Sequence, residues 1–191
     1  MHKFGSQINT LIKNLKNLLN SETLIQDIDN VIFELVKCFE EDKPVLIFGN
    51  GGSASDALHI SGELVGRFLK ERRALNVICL NSNAAVITAW SNDYNFETVF
   101  SRQIEAHGQK GGICFGISTS GHSKNVINGM FEAKKNGMKT ICLTGNSGGE
   151  LVNICDFSIV VPSAVTPEIQ EMHLPIYHYI CEEIEKNLFK N

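Results

Sequence analysis

The apolar positions of this chain follow two rhythms. Over the first forty residues they recur at spacings of three and four: Ile8, Leu11, Ile12, Leu15, Leu18 and Leu19. That spacing predicts a helix. A second helical pattern opens at Ser21, an N-cap residue type, and carries Leu24, Ile25, Ile28, Val31, Ile32, Leu35, Val36 and Phe39. Broad apolar stripes on two consecutive helices predict burial against a larger body or another subunit.

From Pro44 onward the rhythm changes. Short apolar runs appear at VLIFG (45–49), LNVICL (75–80), ICFGIS (113–118), TICLTG (140–145) and FSIVV (157–161). They are rich in Val and Ile, scarcely alternate, and are separated by helix-length segments. Runs of this kind suit strands buried on both faces, so the pattern predicts a parallel sheet flanked by helices, an α/β fold. The chain closes with a helix from about 166 to 189, expected to be interrupted and kinked at Pro175. No linker or low-complexity stretch divides it, so residues 1–191 are expected to form one domain, with 1–42 as leading helices and 43–191 as the α/β core.

Composition narrows the function. With 43% hydrophobic and 20% charged residues the chain has the profile of a soluble globular protein. A formal net charge of −4 argues against a nucleic-acid partner, which would call for a basic face. An anionic ligand would instead be held locally, by backbone N–H groups, hydroxyls and a few placed cations. The N-terminus lacks the basic stretch and apolar run of a signal peptide. No apolar segment approaches the roughly 18 residues of a membrane-spanning helix. Cys79, Cys114 and Cys142 fall inside strand-like runs and no C-x-x-C pair occurs. Reduced thiols packed as small core residues, in a cytoplasmic protein, are the expectation.

Three strands run into glycine- and serine-rich turns: FGNGGSAS, GISTSGHS and LTGNSGG. In an open parallel sheet such turns line the carboxyl edge, where ligands bind. Ser118, Thr119, Ser120 and Ser123 place four hydroxyls at one helix N-terminus. Capping and turn chemistry account for one or two of them, and the full set points to a phosphate or sugar. Gly49, Gly51 and Ala54 also fit the dinucleotide fingerprint G-x-G-x-x-A. That fingerprint expects an acidic residue at the end of the second strand, but Cys79-Leu80-Asn81 supplies none. The Gly-Lys-Ser/Thr of a phosphate-binding Walker loop is absent too.

His59 and Glu63 lie one helical turn apart just after the first glycine turn, as a functional pair or as an ordinary exposed i,i+4 contact. The final helix carries Gln170, His173 and His178, of which His173 reads as a surface or core histidine. His2 and His107 read as terminal and surface residues, and His122 sits within the hydroxyl loop. Asn92 and Asp93 follow the apolar helix AAVITAW, where a helix stop with turn chemistry is the plainer reading.

Taken in order, the two leading helices, GNGGSASDALHISGELVGR, the SND turn, ISTSGHSKNV and TPEIQEMHLPIYH resemble the phosphoheptose isomerases, single-domain members of the sugar isomerase (SIS) fold. The resemblance covers nearly the whole chain. It implies a three-layer α-β-α sandwich with a five-stranded parallel sheet, flavodoxin-like, and a homotetramer with active sites between subunits. It implies conversion of D-sedoheptulose 7-phosphate to D-glycero-D-manno-heptose 7-phosphate, supplying heptose for lipopolysaccharide or capsule. Residue by residue, it places the phosphate loop on Ser118, Thr119, Ser120 and Ser123. Sugar contacts fall on Asn50, Gly51, Gly52, Ser53, Asn92 and Asp93, with Glu63 and Gln170 also facing substrate. It places a zinc site on His59, Glu63, Gln170 and His178, and an acid/base pair on Glu63 and His178. His122, Lys124 and the Pro167-Glu168 pair depart from the family pattern.

Such an isomerisation needs a base near one carbon, a donor near the carbonyl oxygen, and stabilisation of the oxyanion. Glu63 is the expected base and His178 the expected acid, with zinc polarising the carbonyl or holding the site together. The alternative is a non-catalytic SIS adaptor or sugar-phosphate sensor, such as a replication-initiator-associating protein. That role has no need of His59, Glu63, Gln170 and His178 together.

Overall fold

The computed structural model describes residues 3–190, so the reading of His2 lies outside the described residues. The leading helices are α1 (Lys3–Leu19) and α2 (Glu22–Glu40). The Ser21 hydroxyl accepts from Leu24 N, the cap that the sequence predicts. The sheet strands are β1 (Val45–Gly49), β2 (Val77–Cys79), β3 (Ile113–Ser118), β4 (Lys139–Gly145) and β5 (Phe157–Val161). Between them lie α3 (Gly52–Val65), α4 (Ala84–Asp93), α5 (Val99–His107), α6 (Lys124–Lys135) and the short α7 (Leu151–Ile154). Helix α8 (Thr166–Leu188) closes the chain.

All four strand pairings are parallel, in the order β2-β1-β3-β4-β5. This is the doubly wound, flavodoxin-like order, whose switch point falls between β1 and β3. The sheet is covered on both faces, which gives the three-layer sandwich. On one face Val45, Ile47, Ile113, Phe115, Ile117 and Leu143 meet α2, α3 and α8. On the other, Leu46, Phe48, Cys114 and Cys142 meet α5, α6 and α7. Burial on both sides explains why the runs do not alternate. All six cysteines are free thiols, and five are buried.

Three expectations need adjustment. Strand β2 is only three residues long, because Asn81 takes over its pairing: Gly49 N donates to Asn81 Oδ1 (3.1 Å) and Asn81 Nδ2 to Gly49 O (2.9 Å). Helix α8 runs through Pro175 without interruption. The missing N–H frees the carbonyl of Glu171, and both residues are exposed, so water can serve it. Meanwhile Met172, His173, Ile176 and Tyr177 anchor the helix in the core on either side. The SND residues are not a turn after α4 but its last three positions.

The two leading helices also differ from one another. Helix α2 buries its stripe within this fold. Helix α1 buries only Asn14, and Phe4, Ile8, Ile12, Leu15 and Leu19 stay exposed. It is held partly through Asn14 Nδ2, which donates to Glu168 Oε2 (3.0 Å), a carboxylate that also accepts from Ser163 (2.7 Å). The Pro167-Glu168 departure is thereby a structural feature, with Pro167 in the first turn of α8.

Candidate active site

The first turn is built by glycine. Gly49 ends β1 so close to the next elements that a Cβ there would lie 2.8 Å from Ile117 O and from Ser53. Gly51 caps α3 at φ 55°, ψ −122°, a backbone conformation suited to glycine. The α-carbon of Gly52 lies against the Gln170 side-chain amide, whose Cδ a Cβ would approach to 2.7 Å. So the turn brings α8 and its Gln170 over the start of α3. Gly51 and Gly52 are exposed, whereas Ser53 is buried beneath them. Asn50 is occupied sideways: its amide and that of Asn125 exchange two hydrogen bonds, of 2.8 and 2.9 Å. That pair bridges the turns after β1 and β3, across the switch point. Asn125 was not a candidate from sequence. The one signal it gives is an amide residue in the first turn of a helix, where its Oδ1 also accepts from Val126 N (3.0 Å).

The turn after β3 gathers the hydroxyls. Ser118 is buried, and its Oγ lies 3.0 Å from Ser123 Oγ. Ser123 is the N-cap residue of α6, yet its side chain makes no capping hydrogen bond. Ser120 Oγ accepts from His122 N (3.2 Å), and Thr119 is half-buried at the rim. Gly121, at φ 67°, lets the loop cross the Gly148-Gly149 turn, with its carbonyl accepting from Glu150 N and Leu151 N. His122 turns outward to Glu150 (3.3 Å).

On the β1 side, α3 and α8 place the titratable residues. His59 Nε2 lies 3.1 Å from Glu63 Oε1 and 3.5 Å from His178 Nε2. Its other nitrogen, Nδ1, lies 3.1 Å from the Tyr177 hydroxyl. The Tyr177 phenol sits beside Asp56, and burial with that carboxylate raises its pKa. Burial raises the Asp56 carboxyl to about 6, against the lowering effects of His59 and Tyr177. For His178, burial and then His59 lower the pKa, while Glu63 pulls it back up, so this imidazole favours the neutral form. His173 is a core histidine, fully buried, with burial lowering its pKa to about 4. Its Nε2 lies 3.3 Å from Thr144 O.

Thus His59, Glu63 and His178 come together, while Gln170 lies about two helical turns earlier along α8, against Gly52 at the start of α3. Asn92 and Asp93 stand apart: both are exposed, and Asn92 Nδ2 donates to Asp93 Oδ1 (2.8 Å). Among the described residues no three His, Cys, Asp or Glu side chains already enclose a common point as a metal site does. The donor chemistry nevertheless suits a cation. His59 Nε2 lies 3.1 Å from a carboxylate oxygen and 3.5 Å from a second imidazole nitrogen, and lone pairs that close need protons or a metal between them. Those separations are close to the edges of roughly 3.3 Å that bonds of about 2.0–2.1 Å give in a tetrahedral zinc site.

Comparison with known proteins places the chain in a family. Residues 5–145 match the SIS domain family. A phosphoheptose isomerase from Nitratiruptor is 52% identical over 152 residues, covering 80% of this chain and 81% of the relative. The phosphoheptose isomerase of Sulfurimonas denitrificans is 46% identical over 174 residues, covering 91% and 89%. The solved structure of a phosphoheptose isomerase from Francisella tularensis superposes with a TM-score of 0.92 at 35% identity, over 96% of this chain and 97% of that one. With matching sequence and matching fold, the chain belongs to the phosphoheptose isomerases, aldose–ketose isomerases built on a SIS domain.

Proposed function

We propose that the protein converts D-sedoheptulose 7-phosphate to D-glycero-D-manno-heptose 7-phosphate. The observation that carries this reading is the two-sided site. Ser118, Ser120 and Ser123 gather beyond β3, while Glu63, His59 and His178 gather beyond β1. A sugar phosphate laid over the switch point would put its phosphate on the hydroxyls and its carbonyl end on the cluster.

In the reaction, the Glu63 carboxylate takes a proton from the hydroxyl-bearing carbon beside the carbonyl, leaving an enediol-type intermediate. Glu63 then returns that proton to the former carbonyl carbon, so no atom is gained or lost. His178, as a neutral imidazole, exchanges protons with the two oxygens and limits charge on them. His59 is held from behind by Tyr177 and keeps Glu63 in place. A zinc ion would be held by His59, Glu63, Gln170 and His178, where it supplies Lewis-acid polarisation of the carbonyl. The exposed apolar stripe of α1 supports self-association, as the homotetramer expected from the family. No described helix is long and apolar enough to cross a membrane, and the reduced, buried thiols support the cytoplasmic setting of this reading. The product would feed heptose supply for lipopolysaccharide or capsule.

Incubating the purified protein with sedoheptulose 7-phosphate should yield the aldose phosphate, with activity tracking zinc content through chelation and reconstitution. Folded, zinc-loaded protein that binds the sugar phosphate without turning it over would favour the sensor or adaptor reading instead. Removal of the two loop hydroxyls in Ser120→Ala/Ser123→Ala is expected to raise KM about 10-fold or more, on the order of 1 kcal/mol per lost hydrogen bond. Steady-state kinetics check this, and an unchanged KM would refute the phosphate assignment.

A further inference from the structure

Behind the cluster lies an ion pair that none of the site chemistry uses. Arg72 belongs to the segment between α3 and β2, and Glu185 to α8, about two helical turns beyond His178 and on the same face. Their side chains are 0% and 1% exposed, with Arg72 Nε 2.9 Å from Glu185 Oε1. A pair this dry is weak evidence for stability, because desolvation opposes the attraction. Its remaining hydrogen bonds show what it holds.

The guanidinium closes the end of α3. Arg72 Nη2 donates to the carbonyl of Glu63 itself (2.7 Å), and Nη1 donates to Leu64 O (2.9 Å) and Gly66 O (3.0 Å). These carbonyls belong to the end of a helix, where a cation is favoured and intrahelical partners run out. The carboxylate organises the following segment. Glu185 Oε1 accepts from Phe68 N (2.9 Å), and Oε2 accepts from Leu69 N (2.8 Å) and Lys70 N (2.9 Å). Phe68, fixed this way, lays its ring on the His178 imidazole, with centroids 5.6 Å apart. One buried pair therefore grips the backbone of Glu63 and the packing partner of His178.

We propose that Arg72 and Glu185 are positioning residues for the isomerisation, a clamp that sets α3 against α8 so that Glu63 and His178 meet the same substrate. The inference rests on the assignment of proton transfer to those two residues. It makes the clamp matter for kcat and much less for KM, since the hydroxyl loop beyond β3 is gripped by other contacts.

Glu185→Gln is the first test. Its amide keeps the shape but replaces one accepting oxygen with a donor, leaving Arg72 or a backbone N–H unmatched. Arg72→Lys is the second: it keeps the charge and loses the fork that reaches the carbonyls of Glu63, Leu64, Gly66 and Arg73. Each zinc-loaded variant, assayed at a temperature where circular dichroism shows it folded, should lose about 10-fold or more in kcat with KM within about 3-fold. Combined with Glu63→Gln, either should lower the residual rate by less than about 3-fold, because residues acting as a unit are not additive. Full kcat per folded molecule, or an equal loss in the Glu63→Gln background, would overturn the clamp. Should Glu185→Gln fail to accumulate, Arg72→Lys carries the same test. A fully active Glu63→Gln enzyme would instead refute the assignment of the base, so the two failures are distinguishable.

Discussion

Glu63→Gln is expected to lower kcat by roughly 10²- to 10⁴-fold, the range over which a positioned general base contributes. The substitution keeps the size of the side chain and can still meet His59 Nε2, now 3.1 Å from the carboxylate. It removes the oxygen that, in the proposed mechanism, carries the proton between two carbons. KM should change little, because the proposed phosphate site, Ser118, Ser120 and Ser123, lies across the switch point and is left intact. If zinc is bound by the same carboxylate, its affinity falls as well, so metal content is measured on the same preparation. A variant that keeps full turnover with wild-type zinc content would remove Glu63 from the mechanism.

The second large effect is expected at Gly121→Ala. Gly121 has φ 67°, and a Cβ there would fall on the carbonyl of Gly148 and within 2.8 Å of Gly149 N. The backbone conformation alone costs about 1–3 kcal/mol for a residue with a side chain. The contact adds to this because the obstacle is main chain and cannot rotate away. For a domain of this size the melting temperature should drop by about 5 °C or more. The displaced segment includes the hydroxyl loop, whose crossing is fixed by Glu150 N and Leu151 N on the Gly121 carbonyl. KM should therefore rise with the loss of stability. Thermal unfolding and steady-state kinetics check the two effects, and an unshifted melt with normal KM would contradict this account. Gly52 offers a contrast: a Cβ there meets the end of the Gln170 side chain, which can move, so that site is perturbed locally while the fold is kept.

What the sequence determined by itself is what local pattern and backbone chemistry fix. Apolar runs without alternation gave five strands buried on both faces, and four of the five predicted runs match the observed strands to within one residue. Glycine- and hydroxyl-rich turns marked the carboxyl edge, since few other residues permit such turns. The i,i+4 spacing of His59 and Glu63 put both on one helix face, and the family resemblance joined them to His178 and Gln170.

The residues that support the site become visible only in the folded chain. Asn81 could be read as lacking a carboxylate, but not as the residue that extends β1 pairing with both halves of its amide. Asn125 gains its meaning from Asn50, 75 residues away, and the Asp56–Tyr177–His59 line joins α3 to α8. Arg72 sits in the polar stretch KERRA, where a charge most often points to water, and Glu185 sits in a charged helix end. Each is buried because the other is there, and a pairing across 113 residues leaves no periodic trace. Local rules fix helices, strands and turns because their partners are neighbours in the chain. The clamp, the amide bridge and the uncovered stripe of α1 depend on which surfaces the sheet brings together, so only the folded chain could disclose them.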